Sequence, residues 1–335
     1  MSDRAASIDA FLKRACWDEA ERSTLAGDAS FRRYYRLRDG RRRAVLMDAP
    51  PPRENVRPFV AVARHLLRLG LSAPAILAFD ETAGLLLLED LGDDTYTSLL
   101  AAGGDEETLY ALAVDLLIGL HGRPAAVPSG LPAYDDETLL CEAAWLTDWY
   151  LPRATGTVTP EPVRQSYIDA WLGLFPLVHA QPRTLVLRDY HVDNLIWLPD
   201  RPGIKACGLL DFQDAVAGAA AYDLMSLLED ARRDIDDRLA RTMLDRYHAA
   251  FPDRDRQAFE TVYAILGAQR HAKVIGIFTR LSVRDGKSGY LVHIPRVWRL
   301  LARSLEHPFL APVAAWFEKH VPQEMRALPR EETVQ

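Results

Sequence analysis

Two apolar segments separated by a turn constrain the fold of this chain more than any other feature. Leu195–Leu198 and Ile204–Leu210 are mainly apolar, and the intervening Pro199–Gly203 holds two prolines, an aspartate and a glycine, a composition typical of a turn. We therefore predict a β-hairpin over these residues. Asn194 immediately precedes the hairpin and Asp211 immediately follows it, so pairing of the strands would bring Asp211 back toward Asn194.

A third polar residue, Asp189, lies in the loop that leaves an apolar strand predicted at Thr184–Leu187. Phosphoryl transfer needs one carboxylate to orient the attacking hydroxyl and accept its proton. It also needs an amide and a second carboxylate to hold the magnesium ions on the ATP phosphates. Asp and Asn also favour turns, so each residue alone fits a plain turn. Asp189, Asn194 and Asp211 together, at this spacing, are typical of a kinase catalytic loop.

Composition and charge limit the class of protein. With 335 residues, 49% hydrophobic and 26% charged, the chain can bury a large core and is long enough for two lobes. The longest aliphatic run, Leu85–Leu88, is too short to span a membrane, and Met1–Glu21 has no signal-peptide core. The net charge of −7 argues against nucleic acid as a partner. Three cysteines without a CxxC pair argue against a disulfide or zinc framework. We expect a cytoplasmic enzyme, and the sequence sets no oligomeric state.

The hydrophobic pattern divides the chain into a β-rich and a helical part. In the first part it predicts helices at Asp9–Ala20 and Asn55–Leu69, and strands at Ala29–Leu37, Arg43–Met47, Ala75–Phe79 and Gly84–Leu88. The pattern then becomes mostly helical, interrupted only by the strands of Thr184–Asp211. We expect residues 1–88 to form a nucleotide-binding lobe, 89–93 a hinge, and 94–335 a catalytic and substrate-binding lobe. Arg330–Gln335 is expected to be frayed.

The motifs and their order resemble the aminoglycoside phosphotransferase family. The resemblance implies an α+β, two-lobed protein-kinase-like fold, with an N-terminal antiparallel β-sheet lobe and a mostly helical C-terminal lobe. Within that family, several segments are similar to those of bacterial cell-wall sugar kinases, at Asp28–Tyr35, Leu46–Pro51, Arg188–Asn194, Leu210–Asp214, Tyr222–Leu224 and Arg284–Lys287. Those enzymes transfer the ATP γ-phosphate to the anomeric hydroxyl of N-acetylmuramate and N-acetylglucosamine in peptidoglycan recycling. Another small-molecule kinase, acting on an aminoglycoside, choline or homoserine, and a nucleotide-binding pseudokinase stay open.

The resemblance also implies roles for single residues. Asp189 becomes the catalytic base, and Asn194 and Asp211 become Mg²⁺ ligands. Asp223 would brace the catalytic loop, although a plain helix N-cap fits the same residue. The backbone of the hinge, from Glu89 to Leu91, would bind the adenine edge of ATP.

Two positions depart from the family pattern. The residue two before the base is usually His and is Leu187 here, so other contacts, through Arg188, must hold the loop. The strand position of the phosphate-binding lysine carries Met47. The nearest cations that would replace this lysine are Arg32 and Arg33, which follow Ser30 in the loop expected to cover the phosphates. Ser30, Arg32 and Arg33 are therefore the candidate phosphate contacts. A solvated edge strand explains either arginine equally well.

An acceptor site is expected in the second half of the chain. Arg270, Lys273 and Arg280 are candidates for binding the lactyl carboxylate of N-acetylmuramate, and a solvated basic face is the alternative. His191 is either a sugar contact or a packed loop residue. Trp145 and Trp149, at helical spacing, suit the core or a sugar-stacking platform.

Overall fold

The computed structural model describes residues 3–25 and 31–326. The chain divides into two compact units, described separately below. The first unit comprises Met1–Leu120 together with Val192–Ala215, and the second comprises His121–His191 together with Val216–Gln335. These bounds differ from the predicted lobes, 1–88, 89–93 and 94–335, which stay a prediction.

The first unit is built on a five-stranded antiparallel sheet with the strand order β1-β2-β3-β5-β4. Its strands are β1 (Glu21–Thr24), β2 (Arg33–Asp39), β3 (Arg42–Asp48), β4 (Ile76–Asp80) and β5 (Leu85–Glu89). Gly40, with a φ of 58°, forms the tight turn between β2 and β3. The predicted N-terminal β-sheet is thereby confirmed.

Side chains alternate along a strand, so the two faces of this sheet carry different residues and have different surroundings. On one face, Leu37, Leu46 and Leu87 are buried against Phe11 and Leu12 of helix α1 (Asp3–Arg14). The register aligns Arg36 with Val45 and Val45 with Leu88. These three residues therefore share the opposite face, which lines a cavity described below.

Three further helices and a hairpin complete the first unit. The helices are α2 (Arg57–Arg68), α3 (Tyr96–Ala101) and α4 (Glu106–His121). The amphipathic α2 buries Phe59 and Leu66 and is followed by Gly70 in the left-handed conformation, as its sequence predicts. The predicted hairpin is confirmed as the antiparallel strands β7 (Leu195–Trp197) and β8 (Cys207–Leu209).

The second unit is mostly helical. Its elements are α5 (Asp136–Trp145), a π-helix (Leu146–Tyr150), α6 (Leu151–Thr155), α7 (Glu161–Leu172), α8 (Phe175–His179), α9 (Ala221–Leu228), α10 (Asp237–Ala250), α11 (Arg256–Asp285), α12 (Ile294–Leu305), α13 (Ala311–His320) and the antiparallel strands β6 (Arg183–Val186) and β9 (Val216–Ala219). The 30-residue α11 packs against α5, α9 and α12. None of the helices within residues 3–25 and 31–326 has the length and hydrophobicity that crossing a membrane requires.

The α5–π-helix segment and α11 run side by side in register, with a constant offset of 131 residues. Glu142 forms an ion pair with Lys273, and Trp149 faces the guanidinium of Arg280. Between these pairs, the backbone of Trp145 lies so close to Gly276 that a Cβ there would be 2.3 Å from the carbonyl carbon of Trp145. The absent side chain of Gly276 thus permits this close contact between the helices.

Some predicted boundaries are wrong. Helix α1 begins at Asp3 and ends at Arg14 rather than spanning 9–20, because Cys16 takes a left-handed φ of 58° and the chain turns. Strands β1 and β9 were not predicted, and β9 lies beyond the interval to which strands were confined. Ala29 and Ser30 of the first predicted strand, and the predicted frayed segment Arg330–Gln335, lie outside the described residues.

Candidate active site

The β7–β8 hairpin places Asn194 and Asp211 at the same end of two paired strands. Leu195 pairs with Leu209, and the backbone N–H of Leu210 donates to the carbonyl oxygen of Asn194 at 2.9 Å. The side chain of Asp211 is 25% exposed. An amide and a carboxylate are therefore adjacent and accessible in the first unit.

The backbone of Asp211 is held in an unusual conformation. Its φ is 53°, in the left-handed region, which Asp tolerates better than most residues. Its carboxylate accepts a hydrogen bond from Nε2 of Gln213 at 2.9 Å and lies 3.6 Å from Nη1 of Arg32. Such strain occurs often at functional sites.

Arg32 lies between two carboxylates. Its Nη1 faces Asp211, its Nε lies 3.7 Å from Oε2 of Glu54, and its side chain is only 12% exposed. Burial alone would lower the pKa of Arg32, but Tyr34 and the two carboxylates raise it above the ordinary value. The neighbouring Arg33 is exposed. The two predicted arginines thus differ in position, and only Arg32 is beside Asp211.

Glu54 is a site residue that the sequence analysis missed. It lies one residue before the predicted helix Asn55–Leu69 and precedes α2. Its carboxylate also accepts the backbone N–H of Phe31 at 3.1 Å. Met47, at the predicted lysine position, is buried. Ser30, the remaining predicted phosphate contact, lies outside the described residues.

A cavity of about 270 Å³ adjoins Asn194 and Asp211 in the first unit. Its lining includes apolar Val45, Phe59 and Leu88, together with the segment Glu89–Gly92. Apolar walls with a few polar groups at one end are typical of a ligand pocket. The predicted hinge segment therefore lines the same cavity as the two predicted metal ligands.

The polypeptide segment along this cavity is fixed by Arg36, a second residue that the sequence analysis missed. The Arg36 guanidinium contacts Asp90 at 2.8 Å and Asp93 at 2.7 Å, and hydrogen bonding to Arg36 lowers the pKa of Asp93. Glu89 pairs with Arg201. In the part of the chain that the structure describes, the backbone of Leu91 makes no hydrogen bond, so it has the capacity to bind a ligand edge.

Asp189 lies in the second unit, in a loop fixed by Asp223. The Asp223 carboxylate accepts the backbone N–H groups of Leu187 at 2.7 Å and Arg188 at 3.0 Å. The predicted brace is therefore confirmed. Complete burial raises the pKa of Asp223 to about 7, against the lowering effect of these two N–H groups. His191, in the same loop, is buried.

The three cations predicted to bind the acceptor have different surroundings. Arg270 and Lys273 are buried, and Lys273 donates to Glu142 at 2.8 Å. Arg280 is partly exposed, and its guanidinium lies 5.4 Å from the ring centre of Trp145 and 5.9 Å from that of Trp149. No carboxylate among residues 3–25 and 31–326 hydrogen bonds to Arg280. Of the three cations, only Arg280 has a side chain that is not buried.

The donor set around Asn194 and Asp211 suits a hard cation. Mg²⁺ prefers oxygen ligands and is usually held by one or two carboxylates together with substrate phosphates. No cluster of three or more His, Cys, Asp or Glu side chains in the described part of the chain could hold a metal ion. The site fits an ion that a bound nucleotide helps to hold.

Together, the sheet, the hairpin and the cavity define a phosphotransferase of the small-molecule kinase type. Residues 21–259 match the family model of the APH phosphotransferase enzymes. The chain belongs to this family.

Curated relatives cover nearly the same length. The chain is 38% identical to an N-acetylmuramate/N-acetylglucosamine kinase of Caulobacter vibrioides, over 97% of this chain and 99% of the relative. It is 40% identical to a protein of the same name from Pseudomonas aeruginosa, over 85% of each chain.

Solved structures share the fold at lower identity. The choline kinase LicA of Streptococcus pneumoniae superposes with a TM-score of 0.64 at 16% identity, covering 90% of this chain and 100% of LicA. The ternary complex of APH(2'')-IIa with streptomycin and ATP gives a TM-score of 0.59 at 17% identity, covering 92% and 98%. The predicted fold class is confirmed.

Proposed function

We propose that this protein is an ATP-dependent kinase that phosphorylates the anomeric hydroxyl of N-acetylmuramate and N-acetylglucosamine. The observation that carries the proposal is the 38% identity, over 97% of the chain, to the Caulobacter vibrioides kinase of that name. The reaction would yield a sugar 1-phosphate within peptidoglycan recycling. With ATP as the donor, the reaction would take place in the cytoplasm.

The nucleotide is assigned to the cavity of the first unit. The backbone of Leu91 would bind the adenine edge, and Val45, Phe59 and Leu88 would pack against the base. Arg32 would grip the phosphates, since a guanidinium binds phosphate oxygens bidentately. APH(2'')-IIa, which shares the fold, has been solved with ATP, which supports ATP as the nucleotide.

The chemistry is assigned to three side chains. Asp189 would orient the anomeric hydroxyl and accept its proton. Asn194 and Asp211 would hold Mg²⁺, which when bound neutralises charge that develops on the transferred phosphoryl group.

Replacing Arg32 with Ala should raise the Michaelis constant for ATP and lower kcat. A charged hydrogen bond contributes ~1.5–3 kcal/mol, so kcat/KM for ATP should fall roughly 10- to 150-fold. The matched control is Arg33→Ala, in the next, exposed position. Met47→Ala should lower the melting temperature and leave KM for ATP nearly unchanged. Steady-state kinetics at varied ATP concentration would measure these effects. If the kinetics of Arg32→Ala were unchanged, Arg32 would not bind the phosphates and its role would be structural.

The acceptor is assigned to the partly exposed surface at Arg280 of α11, beyond the buried residues Lys273 and Gly276. Arg280 lies two helical turns, about 10 Å, beyond Lys273. Trp145 and Trp149 flank its guanidinium, so a sugar ring there would meet an aromatic surface and a cation together. N-acetylmuramate differs from N-acetylglucosamine by a lactyl carboxylate, which Arg280 would bind.

Replacing Arg280 with Ala should therefore affect the two sugars unequally. We expect kcat/KM for N-acetylmuramate to fall by ~1.5–3 kcal/mol more than that for N-acetylglucosamine, because only the first sugar loses a charged hydrogen bond. Arg284→Ala is the matched control, since Arg284 is exposed and pairs with Asp285. Equal losses for both sugars would show that the carboxylate binds elsewhere.

An ADP-release screen over both amino sugars, an aminoglycoside, choline and homoserine tests the function itself. Phosphorus NMR of the product would reveal coupling to the anomeric proton if the 1-hydroxyl is the acceptor. If only another acceptor were phosphorylated, the proposed substrate would be wrong and that acceptor would take its place. Magnesium-dependent ATP binding without turnover of any acceptor would instead favour a pseudokinase.

A further inference from the structure

The residue before Asp189 has an unusual backbone. Arg188 has a φ of 70°, in the left-handed region, where a residue with a long side chain is rarely found. Strain of this kind persists only where surrounding contacts fix it. The conformation of Arg188 sets the direction in which the next residue leaves the loop, so the contacts of Arg188 bear directly on the position of Asp189.

Two carboxylates in the second unit fix Arg188. Asp223 binds its backbone N–H. Glu142, on α5, forms an ion pair with its guanidinium. Leu187, where the resemblance led us to expect a histidine, offers no polar side chain. The contact between Glu142 and Arg188 is therefore a side-chain anchor of this loop.

Glu142 is itself held by several groups. Lys273 donates to it at 2.8 Å, Gln269 contacts it at 3.4 Å, and the hydroxyl of Tyr134 donates to it as well. Its side chain is 4% exposed. Burial alone would raise the pKa of Glu142, but Lys273 and Arg188 outweigh burial and hold that pKa at about 2.

Two cations on one buried carboxylate are a costly arrangement if stability is the only benefit. Apolar side chains of similar volume often stabilise a core as well as or better than a buried ion pair does. A fixed orientation of Arg188 is a benefit that apolar packing would not supply. The network also joins α5, α11 and the loop before Asp189 through a single side chain.

We propose that Glu142, with Lys273 as its second counter-ion, is the positioning residue of the catalytic loop. It holds the Arg188 side chain so that Asp189 is directed at the acceptor hydroxyl. The inference rests on the proposed role of Asp189 and assigns Lys273 to this network rather than to the sugar carboxylate.

The test compares Glu142→Gln with Glu137→Gln, an exposed position on the same helix. In Glu142→Gln, kcat should fall about 10- to 100-fold while KM for ATP stays within about twofold, as expected for loss of positioning at the acceptor. Hydrogen exchange at the amides of Leu187 and Arg188 should become faster. Glu137→Gln should match the wild type in each measurement.

Two further variants separate positioning from stability. Glu142→Gln/Lys273→Met removes one of the two cations that Glu142→Gln leaves without a carboxylate, so its melting temperature should recover part of the way toward the wild type while kcat stays low. Recovery of kcat together with the melting temperature would overturn the proposal. Should Glu142→Gln fail to fold, Glu142→Asp keeps the charge but shortens the reach to Arg188, and it should likewise lower kcat with little change in KM for ATP.

Hydrogen exchange needs no acceptor, so this inference and the proposed function can fail separately. A wild type that is inactive toward both amino sugars would overturn the proposed substrate. Unchanged exchange at Leu187 and Arg188 in the folded Glu142 variant would overturn the positioning role, whatever substrate the enzyme uses.

Discussion

Asp189→Asn is expected to reduce turnover by roughly two to four orders of magnitude, the usual contribution of a general base. The amide cannot accept the proton of the acceptor hydroxyl at neutral pH. ATP affinity should be nearly unchanged, because the base acts on the acceptor and not on the nucleotide. Steady-state ADP release and equilibrium binding of ATP in the presence of magnesium would measure the two effects.

The control for this variant is Asp193→Asn, four residues further along the chain. The Asp193 carboxylate accepts a hydrogen bond from Thr97, and the amide oxygen of Asn would still accept it, so we expect kcat to change by no more than about twofold. If Asp189→Asn retained wild-type turnover, Asp189 would not be the catalytic base.

Asp211→Asn should weaken nucleotide binding and turnover together. In magnesium, ATP affinity should fall roughly 10- to 100-fold and kcat by at least as much, because an amide is a weaker Mg²⁺ ligand than a carboxylate. In EDTA the effect of the substitution on ATP affinity should be reversed. The carboxylate would then only repel the phosphates, so the variant should bind ATP as well as the wild type or better.

Calorimetric titrations with and without magnesium would provide the comparison. Asp200→Asn, an exposed position in the same β7–β8 hairpin, is the control and should behave as the wild type. If the wild type bound ATP equally well with and without magnesium, the metal role of Asp211 would be wrong.

Most features that were predicted correctly have partners that lie close along the chain. The β7–β8 hairpin follows from two apolar runs and a turn within 16 residues of sequence, and its strands pair as predicted. Helix α2 follows from its own periodicity and from Gly70. The bracing of Leu187 and Arg188 by Asp223 came from the family motif, because their separation gives no local signal.

The features that were missed depend on partners far apart in sequence or on weak local patterns. Strand β9 is Val-Ala-Gly-Ala, which has little β-propensity by itself and is stabilised by pairing with β6. Strand β1 consists of exposed polar residues, so it lacks the apolar alternation of a half-buried strand. Glu142 and Lys273 are 131 residues apart, and only the packing of α5 on α11 brings them together.

The use of Arg32 in place of a lysine has a consequence for chemical labelling of the first unit. In the part of the chain that the structure describes, no lysine lines the cavity, and Met47 occupies the strand position where the family pattern has one. A nucleotide analogue that acylates amines would therefore find no amine among these lining side chains, and a guanidinium such as that of Arg32 does not replace one because it keeps its proton at any physiological pH. A covalent inhibitor of this pocket would need a group that reacts with a phenol, and Tyr34, which lines the cavity, is the side chain to aim at.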